Sequence, residues 1–417
     1  MSITTIKGFK DILPGESELW QWIEMNARMV FETFGFKEIR TPLLEWTELF
    51  NRGIGIETDI VSKEMYTLED SRGRNQTLRP EATASVVRAY IQHKLYNLSP
   101  VQKLYSIGPM FRHERPQKGR FRQFHQINAE IFGDSGPRSD ADIINMAMVI
   151  FEKTGLKDLS LNINTLGCVS CRSDYKEKLK NYLSDKAEPL CGECRNRSEV
   201  NPLRVFDCKV ETCKSVVSGA PAILDFICDD CRKHFELLKE YLGDIDITYV
   251  VNKSLVRGLD YYSRTTFEIQ TDKLGTQNAV AGGGRYDTLI KQLDGPDHTG
   301  IGFAIGFERL AALLETEQNE VMKNPDIFLI ALGDEASKKV FIWANELRKR
   351  GKAVEMEYGE KSLKAQMKRA DRLCSKRVLI VGENELKNKK AILRNMGTKE
   401  QEEIPFEGLI EKVVSRI

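Results

Sequence analysis

Residues 100–133, PVQKLYSIGPMFRHERPQKGRFRQFHQINAEIFG, place two alternating apolar runs on either side of a strongly cationic stretch. Alternation at period two reads as strand, and two such runs joined by a loop containing Pro116 and Gly119 read as an antiparallel hairpin. Positions 111 to 122 hold five basic residues (Arg112, Arg115, Lys118, Arg120 and Arg122) and the single acid Glu114, in a chain whose formal net charge is only +1. YTLEDSRGRNQTLRP, turning at Arg72-Gly73, adds a second hairpin. Adjacent hairpins of short strands predict an antiparallel sheet and disfavour a doubly wound nucleotide-binding core.

The rest of the chain fits around that sheet. ESELWQWIEMNARMVFETFGF has helical spacing and a stop at Gly35, KEIRTPLLE reads as a strand carrying Pro42, and EATASVVRAYIQHKL reads as a helix. Residues 168 to about 245 change character, becoming rich in Cys and charge with helical stretches, and read as an insertion. Strand patterns return in ITYVVNKSLVRGLDYYSRTTFEIQT, NAVAGGGRYDTLI and GIGFAIGFERLAALL. After the polar linker ETEQNEVMKNP, strand and helix patterns alternate as in a small α/β module. The expected organisation is 1–325 with its insertion, then 326–417. The second part holds 20 Lys/Arg against 15 Asp/Glu, a basic excess suited to a polyanion or to a solvated helix face. No run approaches the roughly 18 apolar residues of a membrane span, so a cytoplasmic protein without a membrane partner is expected.

Neither G-x-x-x-x-G-K-[ST] nor a strand-to-helix G-x-G-x-x-G occurs, so phosphate must be held by side chains. Arginine suits that task because its planar, permanently charged fork grips phosphate or carboxylate at two points. TLRPEATA contributes Arg79 and Glu81, LVRGLDYY contributes Arg257 and Asp260, and GFAIGFERL contributes Arg309. Each is charge embedded in apolar sequence. Buried charge is costly unless paired, so together these stretches imply one polar cavity.

These motifs resemble those of the class II aminoacyl-tRNA synthetases: FKEIRTPLLE the first, FRHERPQKGRFRQFHQ the second, GIGFAIGFERLAALL the third. LVRGLDYYSRTTFE and AGGGRYDTLI are similar to the segments that mark the histidyl-tRNA synthetase family, and the resemblance covers nearly the whole chain. It implies an α+β fold: a class II antiparallel β-sheet core flanked by helices, a helical Cys-rich insertion and a C-terminal α/β anticodon-binding domain. The implied reaction activates L-histidine with ATP and Mg²⁺ to histidyl-adenylate and pyrophosphate, then transfers histidine to the 3′ end of tRNA(His). Arg112, Arg257 and Arg309 match the catalytic arginines, and with Glu114 and Phe124 they form the implied ATP site, Phe124 offering its face to adenine. Glu81, Thr83 and Gln126 match positions around the α-amino group. Glu130 and Tyr262, with Tyr261 beside them, match the imidazole site. The first motif implies a homodimer.

Eight of the nine cysteines fall in pairs inside the insertion: Cys168/Cys171, Cys191/Cys194, Cys208/Cys213 and Cys228/Cys231. Repeated pairs in a cytosolic chain favour structural Zn²⁺ over disulfides, in one or two four-ligand sites, with His234 an alternative ligand. Thiols simply packed in a helical module are the other reading. Cys374 stands alone and is expected in the core, and His113 is expected to line the pocket. Strand alternation turns His125 away from Phe124.

Overall fold

Strands Gln102–Phe111 and Gln123–Phe132 pair antiparallel along their whole length, from Gln102 opposite Phe132 to Phe111 opposite Gln123. The computed structural model describes residues 3–116, 119–274, 278–314 and 324–417. Lys118 and most of the polar linker therefore lie outside the described residues. The chain divides into two compact units, 1–320 and 321–417.

In the first unit the hairpin joins an eight-stranded sheet. Its order is Lys37–Glu38, Gln102–Phe111, Gln123–Phe132, Gly300–Gly306, Ala279–Arg285, Ser263–Gln270, Ser160–Thr165, Val250–Val251. The six central strands run antiparallel, and the two short edge strands pair in parallel. Alternation divides strand Gln123–Phe132 between two environments. Ile127, Ala129 and Ile131 are buried beneath helices Pro137–Lys153 and Phe307–Leu313, whereas Phe124, Gln126 and Asn128 face a cavity. His125 follows the apolar side, its ring 4.9 Å from Trp20.

Helix Glu16–Thr33 packs on that same side. It buries Leu19, Trp20, Ile23, Ala27, Val30 and Phe31, a helical stripe in which each large side chain contributes about 1.5–3 kcal/mol. The chain leaves this helix through Gly35 at φ +77°, which glycine adopts without a Cβ clash.

KEIRTPLLE forms two strands instead of one. Lys37–Glu38 joins the large sheet and Leu44–Trp46 a separate three-stranded sheet with Tyr66–Glu69 and Asn75–Leu78, while Pro42, which lacks a ladder donor, lies between them. The insertion folds as helices Val169–Asp185, Gly192–Val200, Glu211–Ser218 and Asp229–Asp244. Its interior is continuous with Tyr261, Tyr262 and Tyr286 of the sheet region, so the module is packed onto the unit and shares its core.

The second unit has a five-stranded sheet, Val354–Met356, Ile327–Ala331, Arg377–Val381, Lys390–Asn395 and Gln401–Pro405 in spatial order. The first three strands are parallel, as the βαβ pattern predicts. The last two pair antiparallel and escaped the alternation reading because Lys, Arg and Glu interrupt them. Cys374 proves exposed, in a left-handed turn after helix Leu363–Arg372, contrary to its expected core position. Among the described residues no helix is long and apolar enough to cross a membrane.

One buried pair ties the first unit together. Arg285, at the end of its strand, bonds Asp140 of helix Pro137–Lys153, the carbonyls of Asp134 and Gly136, and Ser139 Oγ. Asp140 also meets His234 Nε2 of the cysteine module at 2.8 Å. Burial alone would raise the Asp140 pKa, but Arg285 and His234 outweigh it and hold it down to about 2. That contribution to stability is present above the ordinary value of 3.8 and is lost as pH falls through about 2. Asp140→Asn should lower the unfolding free energy by about 3–5 kcal/mol, the cost of stranding a buried cation. Urea unfolding at neutral pH measures it, and a loss below about 1 kcal/mol would contradict this assignment of a central ion pair.

Candidate active site

Three backbone features shape the cavity. Across the sheet Glu130 stands opposite Gly302, which stands opposite Gly284; in the next row of this face Asn128, Ala304, Gly282 and Glu268 align. A Cβ on Gly302 would overlap the Glu130 carboxylate, one on Gly282 the Arg257 guanidinium, and one on Gly284 would come within 2.9 Å of the Tyr262 ring. The glycines of AGGGR and GIG therefore leave a floor on which functional side chains lie flat against the sheet. The third feature is the turn into helix Thr83–Gln92, where Glu81 accepts the first-turn amides of Thr83 and Ala84 at 2.7 and 2.8 Å.

The resulting cavity, about 240 Å³, gathers most of the candidates: Glu81, Thr83, Arg112, Glu114, Phe124, Gln126, Arg257, Tyr261, Tyr262 and Arg309 all line it. Glu130 lies one layer behind. One of its oxygens accepts from Thr83 Oγ1 at 2.7 Å and the other from the Tyr286 hydroxyl. Two buried lining groups, Gln126 Oε1 and Asn128 Nδ2, have no hydrogen-bond partner among the described residues. A buried amide left unpaired costs about 1–3 kcal/mol, so both point to a polar ligand.

At the other end of the cavity positive charge accumulates. Arg112 donates from Nε to the Pro80 carbonyl at 2.8 Å, and its guanidinium lies 5.3 Å from the Phe124 ring centroid. Arg257 donates to Glu268 at 2.8 Å, and Arg309 to the Ala279 carbonyl at 2.7 Å. Arg120 pairs with Glu114. Burial lowers the pKa of Arg112, Arg120 and Arg309, and neighbouring cations of this cluster press each of them further down. For Arg257 burial pulls the same way, but Glu268, Tyr262, Asp207 and Tyr261 together outweigh it and raise the pKa. Four guanidinium groups thus converge near two carboxylates, a field that favours a polyanion.

Several sequence candidates are used elsewhere. Arg79 is spent on the carbonyls of Pro109 and Thr41, and Asp260 is held by Asn201 at 2.9 Å; neither lines the cavity. Arg115 is exposed and Arg122 folds over Gly8. His113 is exposed, with its ring against Tyr66, because Arg112 takes the inward position. His234 does not join the cysteines, since Asp140 and Arg264 Nη1 occupy its two ring nitrogens. Tyr286, Asn128 and Glu268 emerge only from the fold. Tyr286 was in view as part of AGGGRYD, but its bond to Glu130 spans 156 positions of sequence.

The cysteines form two groups, Cys168, Cys171, Cys228, Cys231 and Cys191, Cys194, Cys208, Cys213, with the four sulfurs of each within 4.8 Å of one another. The Cys168–Cys171 and Cys191–Cys208 sulfur separations are 3.5 and 4.0 Å. Four thiolates about 2.3 Å from a tetrahedral ion would stand about 3.8 Å apart, so both groups fit Zn²⁺.

With this geometry in place, comparisons with known proteins agree. The family profile described as "Histidyl-tRNA synthetase" matches residues 8–310, and that described as "Anticodon binding domain" matches 326–416. The "Histidine--tRNA ligase" of Desulfatibacillum aliphaticivorans is 56% identical over 415 residues, covering 100% of this chain and 99% of that protein. The protein of the same name from Geobacter sulfurreducens is 51% identical, covering 100% of both. The crystal structure of apo S. aureus histidyl-tRNA synthetase superposes with a TM-score of 0.83 at 37% identity, covering 99% of this chain and 100% of that one.

Burial raises the Glu130 pKa from 4.5 to about 8 against the bonds from Tyr286 and Thr83, and the Glu81 charge adds to the rise. A carboxyl shifted upward in the fold contributes stability below its unfolded value and loses it as pH rises through the folded value. Unliganded protein should therefore lose stability between pH 4.5 and about 8. Glu130→Gln should remove that increment, so its melting temperature relative to wild type rises with pH; parallel curves would sink the assignment.

Proposed function

The chain belongs to the histidyl-tRNA synthetase family, and on that premise we propose roles for the residues of the cavity. Its activity is that of a histidine–tRNA ligase: ATP and histidine give histidyl-adenylate and pyrophosphate, and the histidyl group passes to the 3′ end of tRNA(His). The observation that carries the residue assignments is the convergence of Arg112, Arg120, Arg257 and Arg309 beside a pocket with unpaired amides.

Attack of the histidine carboxylate on the α-phosphate brings two anions together. Arg112 and Arg257 neutralise both and stabilise charge on the α-phosphate as it becomes five-coordinate, while Arg309 holds the departing pyrophosphate end. Glu268 keeps the Arg257 fork over Gly282. Phe124 packs on one face of adenine, and Glu114 with Arg120 closes the ATP site. The hard carboxylate oxygens of Glu114 and Glu268, which border the cations, would hold a Mg²⁺ accompanying ATP, whose charge would ease pyrophosphate departure.

Glu81, Thr83 and Gln126 receive the α-amino group, an ammonium that answers the buried Glu81 carboxyl and the unpaired Gln126 oxygen. Glu130 and Tyr262, with Tyr261 beside them, pair the imidazole nitrogens. Each Glu130 oxygen keeps a lone pair after binding Thr83 or Tyr286. An analogue without ring nitrogens would leave these groups buried and unpaired, which gives the selectivity.

The hairpin tip meets the acceptor end of the tRNA, and residues 326–417 read the anticodon, whose single-stranded bases are recognised by stacking and edge hydrogen bonds. Residues 1–325 serve as the catalytic domain. The two cysteine groups hold one structural Zn²⁺ each. The first motif builds a homodimer, and the family's role in protein synthesis supports a cytoplasmic location.

Pyrophosphate exchange with each of the twenty amino acids should proceed with histidine alone; exchange with another amino acid would overturn the pocket assignment. Arg257→Ala should retain the fold and reduce exchange by about 10²-fold or more, the scale for losing one transition-state contact. Near-normal exchange would remove Arg257 from the mechanism. Elemental analysis of protein purified without chelators should find about two zinc ions per chain, and fewer than about one would refute the zinc sites.

A further inference from the structure

We propose that the cysteine-rich module is a working part of the activation site, and that Asn201 and Arg204 are positioning residues for the loop carrying Arg257, Tyr261 and Tyr262. The inference rests on the roles given above to Arg257 and the tyrosines, and it does not require metal in the module.

Between strands Val250–Val251 and Ser263–Gln270 the chain runs without regular pairing, yet this stretch supplies three of the cavity's functional side chains. A loop cannot hold Arg257 flat over Gly282 through its own hydrogen bonds alone. The module supplies what is missing. Arg204 Nη1 donates to the Arg257 carbonyl at 3.4 Å, and its guanidinium packs over Gly258, where a Cβ would stand 3.3 Å from Nη1. Asn201 Nδ2 donates to Asp260 Oδ1 at 2.9 Å. Arg172 Nη1 donates to the carbonyls of Asp260 and Tyr262 at 3.2 and 2.5 Å. Three side chains of the module therefore hold the loop's backbone at Arg257 and Tyr262 and its one carboxylate between them.

The grip is itself anchored. Arg204 and Arg197 both reach Asp59, at 3.4 and 3.0 Å, and Asp207 pairs with Arg204 at 2.8 Å. On the far side of the loop, the Asp260 amide bonds the Ile54 carbonyl at 3.2 Å, and Gly55 leaves room for the Asp260 carboxylate. Asn201 and Arg204 sit between the two cysteine pairs Cys191/Cys194 and Cys208/Cys213, so the fold of that group sets where they stand. Asn201 and Arg204 do not themselves line the cavity, which Arg257, Tyr261 and Tyr262 do. Their effect on chemistry passes through the loop.

The test uses full-length Asn201→Leu, Asn201→Asp, Arg204→Met and Arg204→Lys. Each is measured for zinc content, melting temperature, and kcat and KM in histidine-dependent pyrophosphate exchange, beside wild type as the control for the activity itself. Loosening the loop should cut kcat by tenfold or more in Arg204→Met and Asn201→Leu, with metal content unchanged and KM for ATP changed less than threefold. Arg204→Lys, which keeps a donor for the Arg257 carbonyl, should recover much of kcat, whereas Asn201→Asp, which faces Asp260 with like charge, should not. Variants that melt lower yet retain wild-type kcat would show a purely structural contact and overturn the proposal, as would a loss not relieved in Arg204→Lys. Wild type inactive with histidine would fault the functional reading instead.

Discussion

The Arg285–Asp140 pair is the contact on which the rest of the first unit depends. It is fully buried, with no solvent to take over if either partner moves. Its worth lies less in net stability than in the arrangement it enforces, since a buried ion pair repays its desolvation only when every donor is placed. Arg285 places its donors on Asp140, Ser139 and two carbonyls around the start of helix Pro137–Lys153. The next residue along, Tyr286, bonds Glu130 on the opposite side of the sheet's glycine row. Through His234, the same carboxylate fastens the cysteine module. One buried pair thus links strand end, helix, the cavity wall at Glu130 and the insertion.

Around that anchor the site is built by subtraction as much as by addition. Gly282, Gly284 and Gly302 remove side chains from the middle of a sheet that would otherwise be filled, and Arg257, Tyr262 and Glu130 occupy the space. The cations then lie on a low-dielectric floor where their mutual repulsion is little screened, a field that favours a polyanion. Rigidity comes from the sheet for Glu130 and Gln126. Glu268 of the sheet holds the Arg257 fork, while the backbone of its loop and the tyrosine pair meet the module packed against them.

Much of this was legible in the chain. The hairpin of residues 100–133, the helix beginning near Thr83 and the glycine-rich strand at 279–285 have strong local signals, because period-two alternation and glycine clusters reflect contacts within a few residues. That Phe124 and His125 face opposite sides follows from alternation alone. Illegible were choices settled over long separations. Arg79 and Arg257 look alike as arginines in apolar sequence, but one braces the carbonyls of Thr41 and Pro109 and the other faces the cavity. His234 has the spacing of a ligand beside Cys231, yet a carboxylate 94 positions away claims it. KEIRTPLLE reads as one strand because nothing local says its halves join different sheets.

The sequence by itself determined the class of fold and the reaction through the motifs it shares with the histidyl-tRNA synthetases, and it required a polar cavity because charge set in apolar segments must meet a compensating charge or ligand. Only the tertiary structure decided which of those charges line the cavity and which brace the fold, how eight cysteines divide into two groups of four, and that Glu130 is bonded by Thr83 and Tyr286. The physical reason is range: alternation, capping and turn chemistry act between near neighbours in the chain, whereas burial, pairing and coordination depend on which distant segments the packed core brings within about 3 to 4 Å.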